Sequence, residues 1–165
     1  MSIVLDGSSG VQYPTGSNYQ VPALNMPSGS VIQIINAYTT STTSTTSNSY
    51  VATALTATIT PQFSTSKIFV SYVATIDNNN GAQMNVTVFR NGTTDLSTGS
   101  GSRGFNEFFT AGGEWEGVSS AQILDSPATT SATTYTIYIR ANSGSHQMYL
   151  NQNPTQSSIT LMEIR

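Results

Sequence analysis

The residue types best suited to chemistry in this 165-residue chain are two glutamates, Glu114 and Glu116, which bracket its single tryptophan in GGEWEGV. Paired carboxylates beside an aromatic ring are the equipment of glycoside hydrolysis, where one acid protonates the leaving oxygen and the other attacks or activates water. On a strand, residues two apart point the same way, so the two glutamates would share one face. The plainer reading is preferred, because Glu-x-Glu spacing is specific to no single reaction. In it Gly112-Gly113 starts a loop, Trp115 buries its ring at a subunit or sheet edge, and both glutamates stay in water.

The other chemistry-bearing residues are sparse. His146 is the only histidine and cysteine is absent, so neither a histidine or thiolate metal site nor a cysteine nucleophile is expected. Asp77-Asn78-Asn79-Asn80-Gly81 has the oxygen-rich look of a calcium loop. Phe89 and Arg90 stand where the bidentate glutamate would be needed, and a hairpin turn explains the run better. STGSGSRG (97–104) lacks the lysine and the strand-to-helix setting of a phosphate loop. Asn85-Val86-Thr87 and Asn91-Gly92-Thr93 match glycosylation acceptors, but MSIVLDGSSG carries no secretory pattern to deliver them. Catalytic residues, cofactor and metal are therefore all expected to be absent, and the chain reads as non-enzymatic.

Charge excludes further classes. Five Lys and Arg stand against eight Asp and Glu, and Lys67, Arg90, Arg103, Arg140 and Arg165 are scattered rather than clustered. Neither nucleic acid nor an anionic membrane surface is an expected partner. No window approaches the length of an apolar membrane span, so membrane insertion is not expected. Charged residues make up 8% of the chain, far below the roughly 25% typical of soluble domains, so Ser, Thr and amides supply the polarity. Disorder couples low hydrophobicity to high charge, and this chain lacks the charge.

The elements that would position these residues are strands. Period-two alternation or β-branched runs predict them at 30–38, 50–60, 67–76, 84–90, 105–110, 118–124, 134–141, 147–150 and 158–164. Asn91-Gly92 supplies two residues that tolerate positive φ in a tight hairpin. No window carries the recurrence of an amphipathic helix, though 114–124 could hold one turn. The run YTTSTTSTTSNSYV (38–51) is read as a strand-connecting loop whose edges extend the flanking ladders and whose centre, 43–47, turns. These signals predict an all-β antiparallel sandwich over residues 30–165, with a jelly roll as leading topology. Residues 1–29, rich in Gly and Pro, read as an extended N-terminal arm. Its Val11, Tyr13, Tyr19, Val21, Leu24 and Met26 are too apolar for a solvated tail and suit docking on a neighbouring chain.

The stretch from Ser28 to Ala74, SGSVIQIINAYTTSTTSTTSNSYVATALTATITPQFSTSKIFVSYVA, with DSPATTSATTYTIYIRA and the ending SSITLMEIR, resembles virion-associated β domains of tailed bacteriophages, including aquatic and cyanobacterial ones. LDGSSGVQYPTGS is similar to short segments that lead into domains of phage fibre proteins, while 77–122 is less typical. The resemblance implies a homotrimer, located on the virion at the capsid surface or the tail. Two roles follow as expectations. A capsid decoration (cement) protein would lay its arm across the major capsid protein. A tail-fibre or receptor-binding module, held by a tail adaptor, would meet host-surface glycans or proteins with exposed loops carrying Asn78, Asn79, Asn80, Arg103 and Trp115. The absence of a repeated shaft in 165 residues favours decoration. A depolymerase using Glu114 and Glu116 is the third and least favoured reading.

Overall fold

The computed structural model describes residues 4–6, 10–12, 22–79, 83–97, 104–108, 113–142, 146–153 and 155–165. Near the N-terminus β1 (Val4–Asp6) and β2 (Gly10–Gln12) pair antiparallel with each other, so this part of the expected extended arm is a two-stranded ladder. A single 3-10 turn, Ala23–Asn25, precedes the main body.

That body is a sandwich of two antiparallel sheets. One contains β3 (Val31–Thr39), β4 (Thr43–Thr45), β6 (Lys67–Asn79), β10 (Trp115–Asp125), β12 (Gln147–Leu150) and β13 (Ser157–Ile164). The other contains β5 (Val51–Ile59), β7 (Met84–Arg90), β8 (Thr94–Asp95), β9 (Asn106–Phe108) and β11 (Thr133–Ala141). Strand bounds fall within a few residues of the sequence expectation. The difference at 114–124 is larger: the segment that could have held a helical turn is fully extended, because it pairs along β6 from Asn78 to Ile68. In the Thr/Ser run, the centre expected to turn is instead β4, which pairs with β12 through Thr45↔Met148 and Thr43↔Leu150. Short β-branched runs become strands when a sheet edge is waiting for them.

β6 organises the first sheet. Along one edge it pairs with β10 over its whole length. Its other edge is shared end to end by β13 (Lys67 to Val73) and β12 (Ile76 to Asn79), with β3 and β4 completing the next row outward. The gap between β12 and β13 is closed by Asn151, fully buried and left-handed at φ 52, a conformation that asparagine tolerates. Its N–H donates to Thr75 O at 3.0 Å, its Nδ2 to Thr39 O at 3.1 Å, and its Oδ1 accepts from Ser157 Oγ at 2.7 Å.

In the second sheet β11 lies between β5 and β7, and Asn91 and Gly92 make the expected turn at φ 51 and 71. Apart from the passages β3 to β4, β7 to β9 and β12 to β13, the chain changes sheet at every step from one strand of the sandwich to the next.

Interior positions alternate as the strand period demands. Leu55, Ile59, Val70, Tyr72, Ile137, Ile139, Ile159 and Leu161 are essentially inaccessible and form one core between the sheets. One end of that core is closed by polar groups. Glu163, fully buried, accepts from the backbone N–H of Gln62 (2.8 Å) and Phe63 (3.3 Å) and from Gln33 Nε2, fixing the β5–β6 connection. Beside it Asp125 accepts two bonds from Arg90 Nη1, at 2.7 and 2.8 Å, and one from Tyr135 Oη at 2.7 Å, tying the sheets together. Burial, reinforced by this acceptor, drives the Tyr135 phenol well above its ordinary pKa. Midway, Tyr72 Oη and Ser119 Oγ both donate to Asn106 Oδ1, at 2.9 and 2.8 Å, a second bridge between the sheets.

Asn151→Ala should lower unfolding free energy by about 2–3 kcal/mol, because it leaves buried backbone groups unpaired and places alanine in a left-handed conformation. Urea denaturation checks this, and a loss below about 0.5 kcal/mol would contradict the role given to Asn151.

Candidate functional site

Sequence reasoning singled out three groups of residues, and the structure distributes them differently. Of the arm residues, Leu24 is exposed and Met26 half-buried. Val11 lies in β2, and Tyr13, Tyr19 and Val21 fall outside the described residues. The root of the arm is clamped to the C-terminal end of β13. Gly29 N–H donates to Arg165 O at 2.6 Å, and Arg165 N–H donates to Ser30 O at 3.0 Å. Arg165 Nη1 donates to Ala23 O at 3.0 Å and to Met26 O, while the guanidinium sits 5.3 Å from the Phe63 ring centroid.

The expected exposed loop at 77–83 is corrected over 77–79, while 80–82 lie outside the described residues. Asn78 and Asn79 belong to β6, and Asn78 is buried, because β10 and β12 extend their pairing to this end of the strand. Asn80 and Arg103 lie outside the described residues. Trp115 is likewise no loop residue. It opens β10 at the sheet edge, half-buried, with its ring 5.1 Å from that of Phe108. The ring also covers Gly117, where a Cβ would come within 2.1 Å of it. Strand alternation puts Trp115, Gly117 and buried Ser119 on the interior face and both glutamates on the other. The ring therefore packs on Phe108 and over Gly117.

Glu114 and Glu116 are exposed and, with Asp77, Trp115, Gln152 and Asn153, line an open pocket of about 250 Å3 at one end of the first sheet. Glu116 is the cross-strand partner of Asp77 and accepts from Asn153 Nδ2 at 3.1 Å. Asp77 is buried beneath the turn after β12, and its carboxylate accepts from the Gln152 N–H at 3.4 Å. Loss of water raises its pKa, the neighbouring Glu116 charge adds to this, and the Gln152 bond opposes it. Such a pocket offers hydrogen-bond acceptors to hydroxyl groups. Among the described residues, no group of three or more His, Cys, Asp or Glu is arranged to hold a metal ion. No helix among them is long and apolar enough to cross a membrane.

The largest feature is one that motif reading missed, the outer face of the first sheet. Register aligns its outward residues in rows across β3, β13, β6 and β10. Ile34, Met162, Phe69 and Leu124 form an apolar row spanning all four strands. The next row is Asn36, Thr160, Ser71 and Gln122, in which Asn36 Nδ2 donates to Thr160 Oγ1 at 2.8 Å. Tyr38, Ser158, Val73 and Ser120 follow, and Thr75 and Val118 come before the acidic end. No residue in these rows is charged. Ile34 (58% exposed), Tyr38 (68%), Val73 (48%), Val118 (58%) and Leu124 (52%) all present apolar surface to solvent. The strand phase of each residue was readable in the sequence, but not which strands lie side by side.

No protein-family model matches the chain, and no curated protein matches it.

Because the folded chain holds a proton on Asp77 more tightly than the unfolded chain does, Asp77 opposes folding above its folded pKa. That penalty is relieved as pH falls through this value. NMR titration of the Asp77 carboxyl should give a midpoint above the roughly 3.9 of a free aspartate, and Glu116→Gln should lower it. A midpoint at or below that of free aspartate would contradict the assigned environment.

Proposed function

We propose that this protein is a non-enzymatic structural component of a tailed-bacteriophage particle, acting as a trimeric capsid decoration protein. The observation that carries the reading is the uncharged middle of the outer face of the first sheet, between Lys67 at one end and Asp77 and Glu116 at the other. A sheet surface studded with exposed Ile, Tyr, Val and Leu is the kind of apolar patch that marks an interaction site. Depletion of charge is the compositional mark of an interface centre, where an unpaired ion would be costly to desolvate. The strand order, with four rows in each sheet and repeated crossing between sheets, supports a jelly roll. The clamp at Arg165 supports an arm that leaves the body from a fixed point and reaches a shell subunit, the major capsid protein in this reading.

One observation favours the second role, a receptor-binding module of the tail. The pocket formed by Asp77, Glu114, Glu116, Gln152 and Asn153 presents acceptors and amides suited to the hydroxyls of a host glycan.

Imaging of particles carrying a tag after Arg165 separates the two roles. Decoration predicts tags over the whole shell, and tags confined to the tail would overturn it. Deleting residues 1–21 spares the Ala23 and Met26 contacts to Arg165, and should abolish binding to assembled capsids while the sandwich stays soluble and folded. Undiminished binding would remove the arm from the account.

A further inference from the structure

The trimer proposed above leaves open which surface joins the copies. We propose that the outer face of the first sheet is the joint, with Tyr38 of one copy seated in the trough between β6 and β10 of the next. The inference rests on the trimeric reading and gives it a specific contact.

Three observations converge on this pairing. The face is bounded by β3 on one side and β10 on the other, and its most exposed apolar side chain, Tyr38, stands on the β3 side. On the β10 side, Ser71, Val73, Ser120 and Gln122 border a groove of about 420 Å3, where small residues lie between bulkier ones. Register then links the two. Tyr38, Ser158, Val73 and Ser120 occupy one row, so Tyr38 stands at the same height along the strands as the groove. A three-fold axis running along the strands preserves height and brings the β3 side of each copy to the β10 side of the next. Each tyrosine then arrives level with its neighbour's groove, and the ring closes after three heterologous contacts.

Charge and area identify the occupant as a second copy of this chain. No ionised side chain lies in the three rows from Ile34 to Ser120, and Lys67 at one end of the face and Asp77 and Glu116 at the other stand beyond them, so the β3 side of one copy meets the β10 side of the next without stranding an ion. Four strands about 4.8 Å apart and seven or eight residues of about 3.3 Å each give a plane of roughly 400–500 Å2 per copy. In the ring each contact takes the β3 half of one face and the β10 half of the next, so closing the trimer buries three such faces, roughly 1,200–1,500 Å2 in all. The outer face of the second sheet is a weaker candidate. It carries Arg140, which lies 4.9 Å over the Tyr50 ring, and its β5–β11 rows are occupied by threonine hydroxyl pairs, Thr56 with Thr136 and Thr58 with Thr134.

The chain contains no cysteine, which makes the contact testable by disulfide trapping. Tyr38 and Ser120 are both exposed, and substituting them leaves the core intact. Within one chain they stand three strand spacings apart, about 14 Å, too far for a disulfide, whose Cα atoms lie within about 7 Å. The variant Tyr38→Cys/Ser120→Cys should therefore oxidise to species at two and three times the 17.5 kDa chain mass on a denaturing gel. Neither single variant should cross-link. Efficient cross-linking of Tyr38→Cys alone would show a two-fold contact and overturn the ring. An oligomer by sedimentation with no cross-link in the double variant would overturn the choice of face while leaving the trimer standing. A wild-type chain that sediments as a monomer at high micromolar concentration would overturn both, whereas the particle-localisation result bears separately on the virion role.

Discussion

β6 must satisfy two sheet edges along thirteen residues, and the rest of the architecture follows from how it does so. On one side a single strand, β10, runs the full length. On the other no single strand does, and β13 and β12 divide the edge between them with Asn151 filling the break. Asn151 serves this purpose because one side chain both donates and accepts while its backbone turns left-handed, so the interruption leaves few backbone groups unpaired. Were the knot to open, β12, β4 and the turn over Asp77 would lose their common support. The pocket at the acidic end is in that sense a by-product of how β6 is covered.

The same arrangement sorts the charges. At one end Glu163 and Asp125 are drawn inside and paired with backbone N–H groups and with Arg90, and near that end Arg165 clamps the arm root. At the other end Asp77, Glu114 and Glu116 gather around the pocket. Between them the outer face carries only neutral and apolar side chains. A chain with 8% charged residues that uses several of them at the ends of its sandwich, Lys67 at one end of this face and Glu116 at the other, keeps the middle rows of the sheet surface free of ions. Such a surface is costly to leave in water and inexpensive to pack against a copy of itself, which is the physical basis of the assembly proposed here.

Much of the fold was legible in the sequence, and the misses have identifiable causes. Runs such as KIFVSYVATI and TYTIYIRA announce strands because local alternation and β-propensity agree there. Thr43–Thr45 does not, since its strand exists only because β12 offers an edge, a fact no local window contains. Asn78 and Asn79 read as turn residues by type and became strand residues by pairing. Trp115 was read in two ways, and its place over Gly117 and beside Phe108 agrees with the buried edge position rather than with an exposed loop. Glu163 and Asp125 gave no signal, because a buried carboxylate depends on partners up to 130 residues away. The outer face was half legible: phase told which residues share a side, and only register told that they align into rows.

Hydroxyl-radical footprinting of the native full-length chain, read by mass spectrometry, tests the central claim most directly. Tyr38 and Met162 lie on the outer face, and Leu24 lies off it and exposed. If the face is the joint between copies, Tyr38 and Met162 should be oxidised several-fold more slowly at high protein concentration than under dilution to monomer, while the rate at Leu24 stays constant. Equal rates for Tyr38 and Met162 in both conditions would contradict the account.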